Sequence, residues 1–319
     1  MNKALVNVFL VLILLAGCRA PLSAWAYEDM VVGFLQTGSE GPWRAANTAS
    51  FRETAEELGI ILKMYDAMGN LSNQERGFRR FVADEEVNVI VLVALEPTGW
   101  EDALMEARAA GKVVILEDRH IDASKDLYAT YVGSDFVEEG RRAAVEMCRL
   151  LSGMAEKNVW ELVGIVGSAA ARDRGVGFRE KMGECGIQLI SSSVGNWSII
   201  EGRQTMAAWL QETHDVQGIF AQNDEMALGV IEALKEAGLR PGVDVKIVLV
   251  DGMAGAFQAM LAGELNVSVE CNPLLAPQVY AAALKALNGE PLPRWIRTVE
   301  GVFHSDMPDL QEIADGRKY

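Results

Sequence analysis

Between residues 31 and 250 the chain alternates short apolar runs with stretches of helical periodicity, and it does so in two successive rounds. Apolar runs at 31–35, 60–64, 89–93 and 113–116 are separated by helical patterns at 43–58, 73–83 and 99–110, with Gly59 and Gly111 as stops. Short apolar runs bounded by turn formers read as buried strands, and longer 3.6-residue periodicity reads as helix. Strands joined by helices of this length pair in parallel through right-handed crossovers, so helices cover both faces of the sheet. The alternation then restarts, with helices at 138–151, 174–185, 201–212 and 224–237 and strands at 162–166, 188–192, 218–221 and 246–250. Two such rounds predict two α/β lobes with a cleft between them, a favoured place for small ligands. No Pro/Ser-rich linker separates the rounds. Strand-like crossings near 131–134 and 270–272 are expected to join the lobes. A helix at 276–287 and a strand at 297–303 return to the first lobe and then cross a third time.

Five of the apolar runs end abruptly in ionic or amide side chains. The run at 113–116 meets Asp118-Arg119, that at 162–166 meets Arg172-Asp173-Arg174, and that at 219–221 meets Asn223-Asp224. The run ending at Val250 meets Asp251, and Val267-Ser268-Val269 meets Glu270. Ligands of open α/β sheets bind outside the carboxyl ends of the strands, so these groups can converge on one crevice. Carboxylates accept from hydroxyls, Arg donates in a planar fork and Asn does both, a mixture suited to a polyhydroxylated ligand. The implied ligand is a sugar.

The first 26 residues stand apart. Lys3 precedes an apolar run at 4–16 broken only by Asn7, shorter than a membrane span, followed by small residues and a polar start at Tyr27-Glu28-Asp29, the pattern of a secretory signal. Two cleavage sites compete: Leu15-Ala16-Gly17-Cys18 reads as a lipobox that would leave Cys18 lipidated (signal 1–17), and Ala24-Trp25-Ala26 suits ordinary signal peptidase (signal 1–26). A chain starting at Tyr27 keeps 27 basic against 45 acidic residues, a net charge of −18. That sign argues against nucleic acid and anionic membrane surfaces as partners. Cys148, Cys185 and Cys271 follow the signal, an odd number without CxxC spacing, so neither a disulfide framework nor a zinc site is indicated. Cys148 sits in an apolar helical pattern and is expected to be a small core residue; a Cys148–Cys185 bridge is the less favoured alternative.

An enzyme is not expected. His120, His214 and His304 are scattered, and the chain has no GxSxG elbow, HExxH, P-loop or repeated metal-ligand spacing. His120 is read as a solvent-facing rim residue. Asp118 and Asp251, flanked by Arg119 and Arg174, are expected to stay ionised, which denies a glycosidase its general acid.

The order of motifs resembles the periplasmic sugar-binding proteins of the ribose-binding type, and within them the galactofuranose-binding members of bacterial ABC importers. The resemblance runs through Ser39-Glu40-Gly41-Pro42-Trp43-Arg44-Ala45-Ala46, Thr98-Gly99-Trp100-Glu101, Glu117-Asp118-Arg119, Asp173-Arg174-Gly175, Gln222-Asn223-Asp224-Glu225-Met226, Val250-Asp251-Gly252 and Val269-Glu270. It implies a type I periplasmic binding protein: two Rossmann-like α/β lobes with parallel sheets, joined by a three-crossing hinge. One lobe comprises 28–133 plus 271–298 and the other 134–270 plus 299–319. It further implies ligand contacts from Asp118, Arg119, Arg174, Asn223, Asp251 and Glu270, ring packing from Trp43 and Trp197, and further contacts from Glu40 and Arg44. No cofactor or metal is implied. The expected partners are a monosaccharide and a membrane permease, for a monomer in the periplasm or at the outer face of the membrane. A periplasmic input to a chemoreceptor or sensor kinase is the rival reading. A sugar-responsive repressor of the same fold would need a helix-turn-helix where this chain carries its signal. The sequence departs from the galactofuranose pattern at Gly41-Pro42 and at Glu117, where an apolar residue is usual.

Each residue also has a plainer reading. Asp118-Arg119 could form a surface ion pair, though the end of a strand favours ligand contact. An Arg at a helix start opposes the macrodipole, so Arg174 calls for another role. Asp224 is either an N-cap or a ligand contact, with Asn223 preferred for contact. Trp100 and Trp209 lie in helical patterns where packing suffices, and Glu101 caps or solvates its helix.

Overall fold

The computed structural model describes residues 24–39 and 41–319. Cys18 and Glu40 lie outside the described residues. The first round forms β1 (Val31–Gln36), α1 (Pro42–Leu58), β2 (Ile61–Asp66), α2 (Leu71–Ala83), β3 (Val89–Leu92), α3 (Glu101–Ala109), β4 (Val113–Glu117) and β5 (Thr130–Gly133). The second forms α4 (Phe136–Leu150), β6 (Asn158–Val163), α5 (Ala169–Met182), β7 (Gln188–Val194), α6 (Ile199–Glu212), β8 (Gly218–Ala221), α7 (Asp224–Glu236), β9 (Lys246–Asp251), α8 (Ala254–Leu261) and β10 (Val267–Glu270). The chain finishes with α9 (Ala276–Leu287), β11 (Trp295–Arg297), β12 (Val302–His304) and α10 (Leu310–Asp315).

These strands make two six-stranded sheets, β11-β5-β4-β3-β1-β2 and β12-β10-β9-β8-β6-β7. Both repeat the doubly wound order 2-1-3-4-5, which leaves a topological switch point at the carboxyl edge of each sheet. The first sheet is parallel throughout, and in the second only β12 runs antiparallel, against β10. Strands such as β3 and β8 are buried along their full length, as helices on both faces require. Side-chain caps start α4 (Asp135), α5 (Ser168), α6 (Ser198) and α7 (Asn223). The two-lobed α/β fold expected from the alternation is therefore present. Among the described residues no helix is long and apolar enough to cross a membrane.

Four expectations change. The strand placed at 162–166 is β6 (Asn158–Val163), and α5 begins at Ala169, so Arg174 is the sixth residue of its helix and not part of its first turn. The single strand placed at 297–303 is split into β11 in the first sheet and β12 in the second, with a crossing between them. Helices α8 and α10 were not anticipated. Cys148 is not a free core thiol: it is bridged to Cys185, which ties the end of α4 to the turn after α5 and leaves Cys271, among the described residues, as the free, buried cysteine.

Candidate functional site

In the first lobe, β1 delivers the chain through Gly41, with φ +122°, into Pro42 at the first position of α1. Trp43 and Arg44 therefore lie in the first turn of α1, and both are buried. Arg44 Nη2 donates to Asp118 Oδ2 at 2.6 Å, and Arg119 Nε lies 3.7 Å from the same oxygen. Asp118 follows β4 in the left-handed region, φ +58°, and the Tyr131 hydroxyl donates to its carbonyl at 2.7 Å. Behind it, Glu117 accepts from Asn47 Nδ2 at 2.6 Å. Burial, with the charge of Asp118 adding to it, pushes the Glu117 carboxyl up to about 8.

In the second lobe, α4 and α5 cross closely: a Cβ on Gly140 would stand 2.0 Å from the Arg174 carbonyl oxygen. That approach sets Glu139 beside Arg174. The guanidinium donates from Nε to Glu139 Oε2 at 2.7 Å, from Nη1 to the Gln222 carbonyl at 2.6 Å and from Nη2 to Asp251 Oδ1 at 3.2 Å. Such a fork fixes the plane of the group. Burial pushes the Asp251 carboxyl well above its ordinary range, with Arg174 pulling it down, so the ionisation expected from its arginine neighbour is opposed.

Asp251 ends β9 with φ +127°, a conformation unusual for a residue with a side chain. The surrounding chain holds this turn. Cys271 N donates to the Asp251 carbonyl at 3.0 Å, and Arg317 Nε donates to the Gly252 carbonyl at 2.7 Å. The Asp224 carboxylate accepts from Gly252 N at 3.3 Å and Met253 N at 2.7 Å. Asp224 thus serves as neither the N-cap nor a pocket residue. The cap of α7 is Asn223, whose Oδ1 accepts from Met226 N at 3.1 Å while Nδ2 donates to Glu225 Oε2 at 2.8 Å. Trp197 sits in a left-handed turn, φ +58°, with its ring over Gly164, where a Cβ would meet it at 1.9 Å.

These groups meet in one pocket between the sheets, enclosing some 410 Å³ including its open mouth. Trp43, Arg44, Asp118, Arg119, Arg174, Trp197, Asn223 and Asp251 all line it. Trp43, from the first lobe, donates its indole N–H to the Cys271 carbonyl at 2.7 Å and packs with the core of the second lobe. Glu270 is not in this lining. Its Oε1 accepts from Arg317 Nη1 at 2.8 Å and from the Tyr319 hydroxyl at 2.6 Å, and its Oε2 from Gly301 N at 2.7 Å, so its acceptors are committed to the C-terminal tail and to the segment just before β12. Glu225, Ala170 and Cys271 line the pocket without having been singled out from the sequence. Glu225 carried a signal, the acidic residue two places after Asn223, but an acid in a helix's first turn has an ordinary explanation in the macrodipole.

The pocket combines two indole rings with three guanidiniums and three carboxylates, contributed from both lobes. Rings pack against the C–H faces of a ligand while ionic groups take its hydroxyls.

Over residues 32–291 the chain matches the periplasmic binding protein domain. It is 35% identical to the galactofuranose-binding protein YtfQ of Escherichia coli over 304 residues, 93% of this chain and 94% of that protein. A Mycobacterium smegmatis structure in complex with β-D-fucofuranose superposes with a TM-score of 0.83 at 38% identity, covering 90% of this chain and 97% of the other. The periplasmic binding protein component of the arabinose ABC transporter from Shewanella sp. ANA-3, bound to α- and β-L-arabinofuranose, superposes with a TM-score of 0.86 at 34% identity, covering 91% and 96%.

Proposed function

The chain belongs to the periplasmic binding protein domain family, and from that premise we propose that it is the extracytoplasmic substrate receptor of an ABC sugar importer. Its ligand is a neutral monosaccharide, with galactofuranose or a related furanose first. The observation that carries this is the pocket, where Trp43 and Trp197 supply ring faces and the Arg44–Asp118 and Arg174–Asp251 pairs, one from each lobe, supply hydroxyl partners. The galactofuranose, fucofuranose and arabinofuranose of the similar proteins support a furanose.

In this reading residues 28–133 with 271–298 form one lobe, and residues 134–270 with 299–319 the other. Sugar bound between them favours the closed arrangement, which a membrane permease then engages. The receptor acts as a monomer without a cofactor. It is exported, and the lipobox at Cys18 tethers it to the membrane. Intact-mass spectrometry of protein from its native membrane decides the tether: a lipid-modified N-terminus at Cys18 supports it, and a start at Tyr27 removes it.

A thermal-shift panel of pentoses and hexoses tests the function. A ligand at 100 times its dissociation constant stabilises the native state by about 2.7 kcal/mol. One monosaccharide should give a shift of that order. Stabilisation by an amino acid, with none by any sugar, would overturn the reading.

A further inference from the structure

Charged groups in the pocket are mostly matched within their own lobe. Asp118 has Arg44 at 2.6 Å and Arg119 at 3.7 Å, and Asp251 has Arg174 at 3.2 Å. Glu225, the second residue of α7, lines the same pocket, and among the described residues it forms no ion pair. Its Oε2 accepts from Asn223 Nδ2 at 2.8 Å. It also faces the other lobe, since a Cβ on Gly41, ahead of α1, would lie 3.7 Å from Glu225 Cδ. The carboxylate therefore stands where the two lobes close, held by an amide but not offset by a cation.

An ionised carboxylate only accepts hydrogen bonds. A partly buried one without a cation is costly, and burial pushes the Glu225 carboxyl up accordingly. A hydroxyl donor from the ligand offsets that cost, whereas a second anion in a site of low effective dielectric is repelled. On the reading of this pocket as a sugar site, we infer that Glu225 is a specificity-determining residue: it requires a hydroxyl donor from the bound sugar and turns away sugars that carry a carboxylate or phosphate. Its geometry also orients Asn223, whose other amide atom is committed to the helix cap.

Calorimetry on the full-length mature protein tests this. The tightest binder among D-galactose, D-fucose and L-arabinose is compared with D-galacturonate, in wild type, Glu225→Gln and Glu225→Asp. Gln keeps the size and the acceptor for Asn223 but removes the charge, and Asp keeps the charge. The wild type should prefer the neutral sugar by about 100-fold or more, a spacing set by charge repulsion in a desolvated site. Glu225→Gln should narrow that gap at least tenfold, and Glu225→Asp should hold it within about threefold. If Gln keeps the wild-type gap, or if Asp narrows it as much as Gln does, charge at residue 225 is not the determinant and the inference is overturned. Should Glu225→Gln fail to fold, Glu225→Ala is read by the same gap. Failure of the wild type to bind any of the three neutral sugars is a separate result, which removes the sugar site itself and this inference with it.

Discussion

His120 Nε2 lies 2.8 Å from Asp173 Oδ2, joining the loop after β4 to helix α5 of the other lobe. Arg172, beside Asp173, adds a longer contact to Asp122 at 3.8 Å, so the two lobes are strapped at two points. His120 is therefore half-buried in an interlobe contact and is not the solvent-facing rim residue expected from the sequence. Burial pushes the Asp173 carboxyl up, but hydrogen bonds from His120 and Arg172 bring it below its ordinary range, so it stays charged. Partly exposed pairs of this kind are worth up to about 1 kcal/mol. The substitution His120→Ala should speed sugar release by about two- to fivefold and leave the association rate nearly unchanged. Stopped-flow indole fluorescence, with Trp43 and Trp197 as reporters in the pocket, measures both.

Arg174 carries a larger load, because its guanidinium faces two buried carboxylates, Glu139 and Asp251. Removing one member of a buried ionic set leaves uncompensated charge and costs about 3–5 kcal/mol. The substitution Arg174→Ala should therefore weaken sugar binding at least 30-fold, taking about 1.4 kcal/mol per tenfold change, and also lower the midpoint of urea unfolding. The three bonds to Glu139, Gln222 and Asp251 tie the guanidinium into the unliganded fold as well. Trp209→Phe is the control. Trp209 packs on Trp160, with ring centroids 4.9 Å apart, outside the pocket, and its affinity should stay within about twofold of wild type.

Much of this site was legible because a strand's carboxyl end is a fixed place in a doubly wound sheet. Asp118, Asn223 and Asp251 follow directly once their apolar runs are read as strands. The failures have local causes. Strand β6 was placed too late because Ile165 and Val166 extend the apolar run past the true end, although Val166 is 73% exposed. Glu161, within β6, is a charged residue that is nonetheless buried, and it is satisfied by Arg179, Ser192 and Gln222, the last two far away in sequence. Glu270 does sit at a strand end. Its side chain faces Arg317 and Tyr319, whose return to β10 no local pattern reveals. Strands of three residues such as β11 and β12 are set by register against β5 and β10, which periodicity cannot supply.

The Cys148–Cys185 bridge closes a sequence separation of 37 residues. Constraining an unfolded loop of that length contributes about 4 kcal/mol in the chain-entropy account, and measured values are commonly 2–4 kcal/mol. Reduction, or the pair Cys148→Ser with Cys185→Ser, should lower the unfolding free energy by about 2–4 kcal/mol. Neither cysteine lines the pocket, so sugar affinity at 25 °C should be unchanged. Chemical denaturation with and without reductant, followed by calorimetry on the reduced protein, measures the two quantities separately.

The hinge carries a titration of its own. Glu300, in the third crossing, has Oε1 accepting from Ser134 Oγ at 2.5 Å, Thr298 Oγ1 at 2.8 Å and Asn272 N at 3.0 Å, so one carboxyl gathers all three crossings. Burial, with the charge of Glu139 adding to it, pushes this carboxyl from an ordinary 4.5 up to about 7. Its folded value lies above its unfolded one, so folding takes up a proton. The resulting stability is fully present below about pH 4.5 and is lost as the pH rises through 7. A displacement of that size corresponds to at most about 3 kcal/mol. The wild type should therefore show a falling thermal midpoint between about pH 5 and 8. Glu300→Gln, which keeps the acceptor for Ser134 and Asn272 but cannot ionise, should flatten that fall and raise the midpoint at pH 8 above that of the wild type. A Glu300→Gln protein whose midpoint tracks the wild-type curve across this range would assign the titration elsewhere, and Glu117, pushed up to about 8 by burial behind Asp118, is the next group to replace.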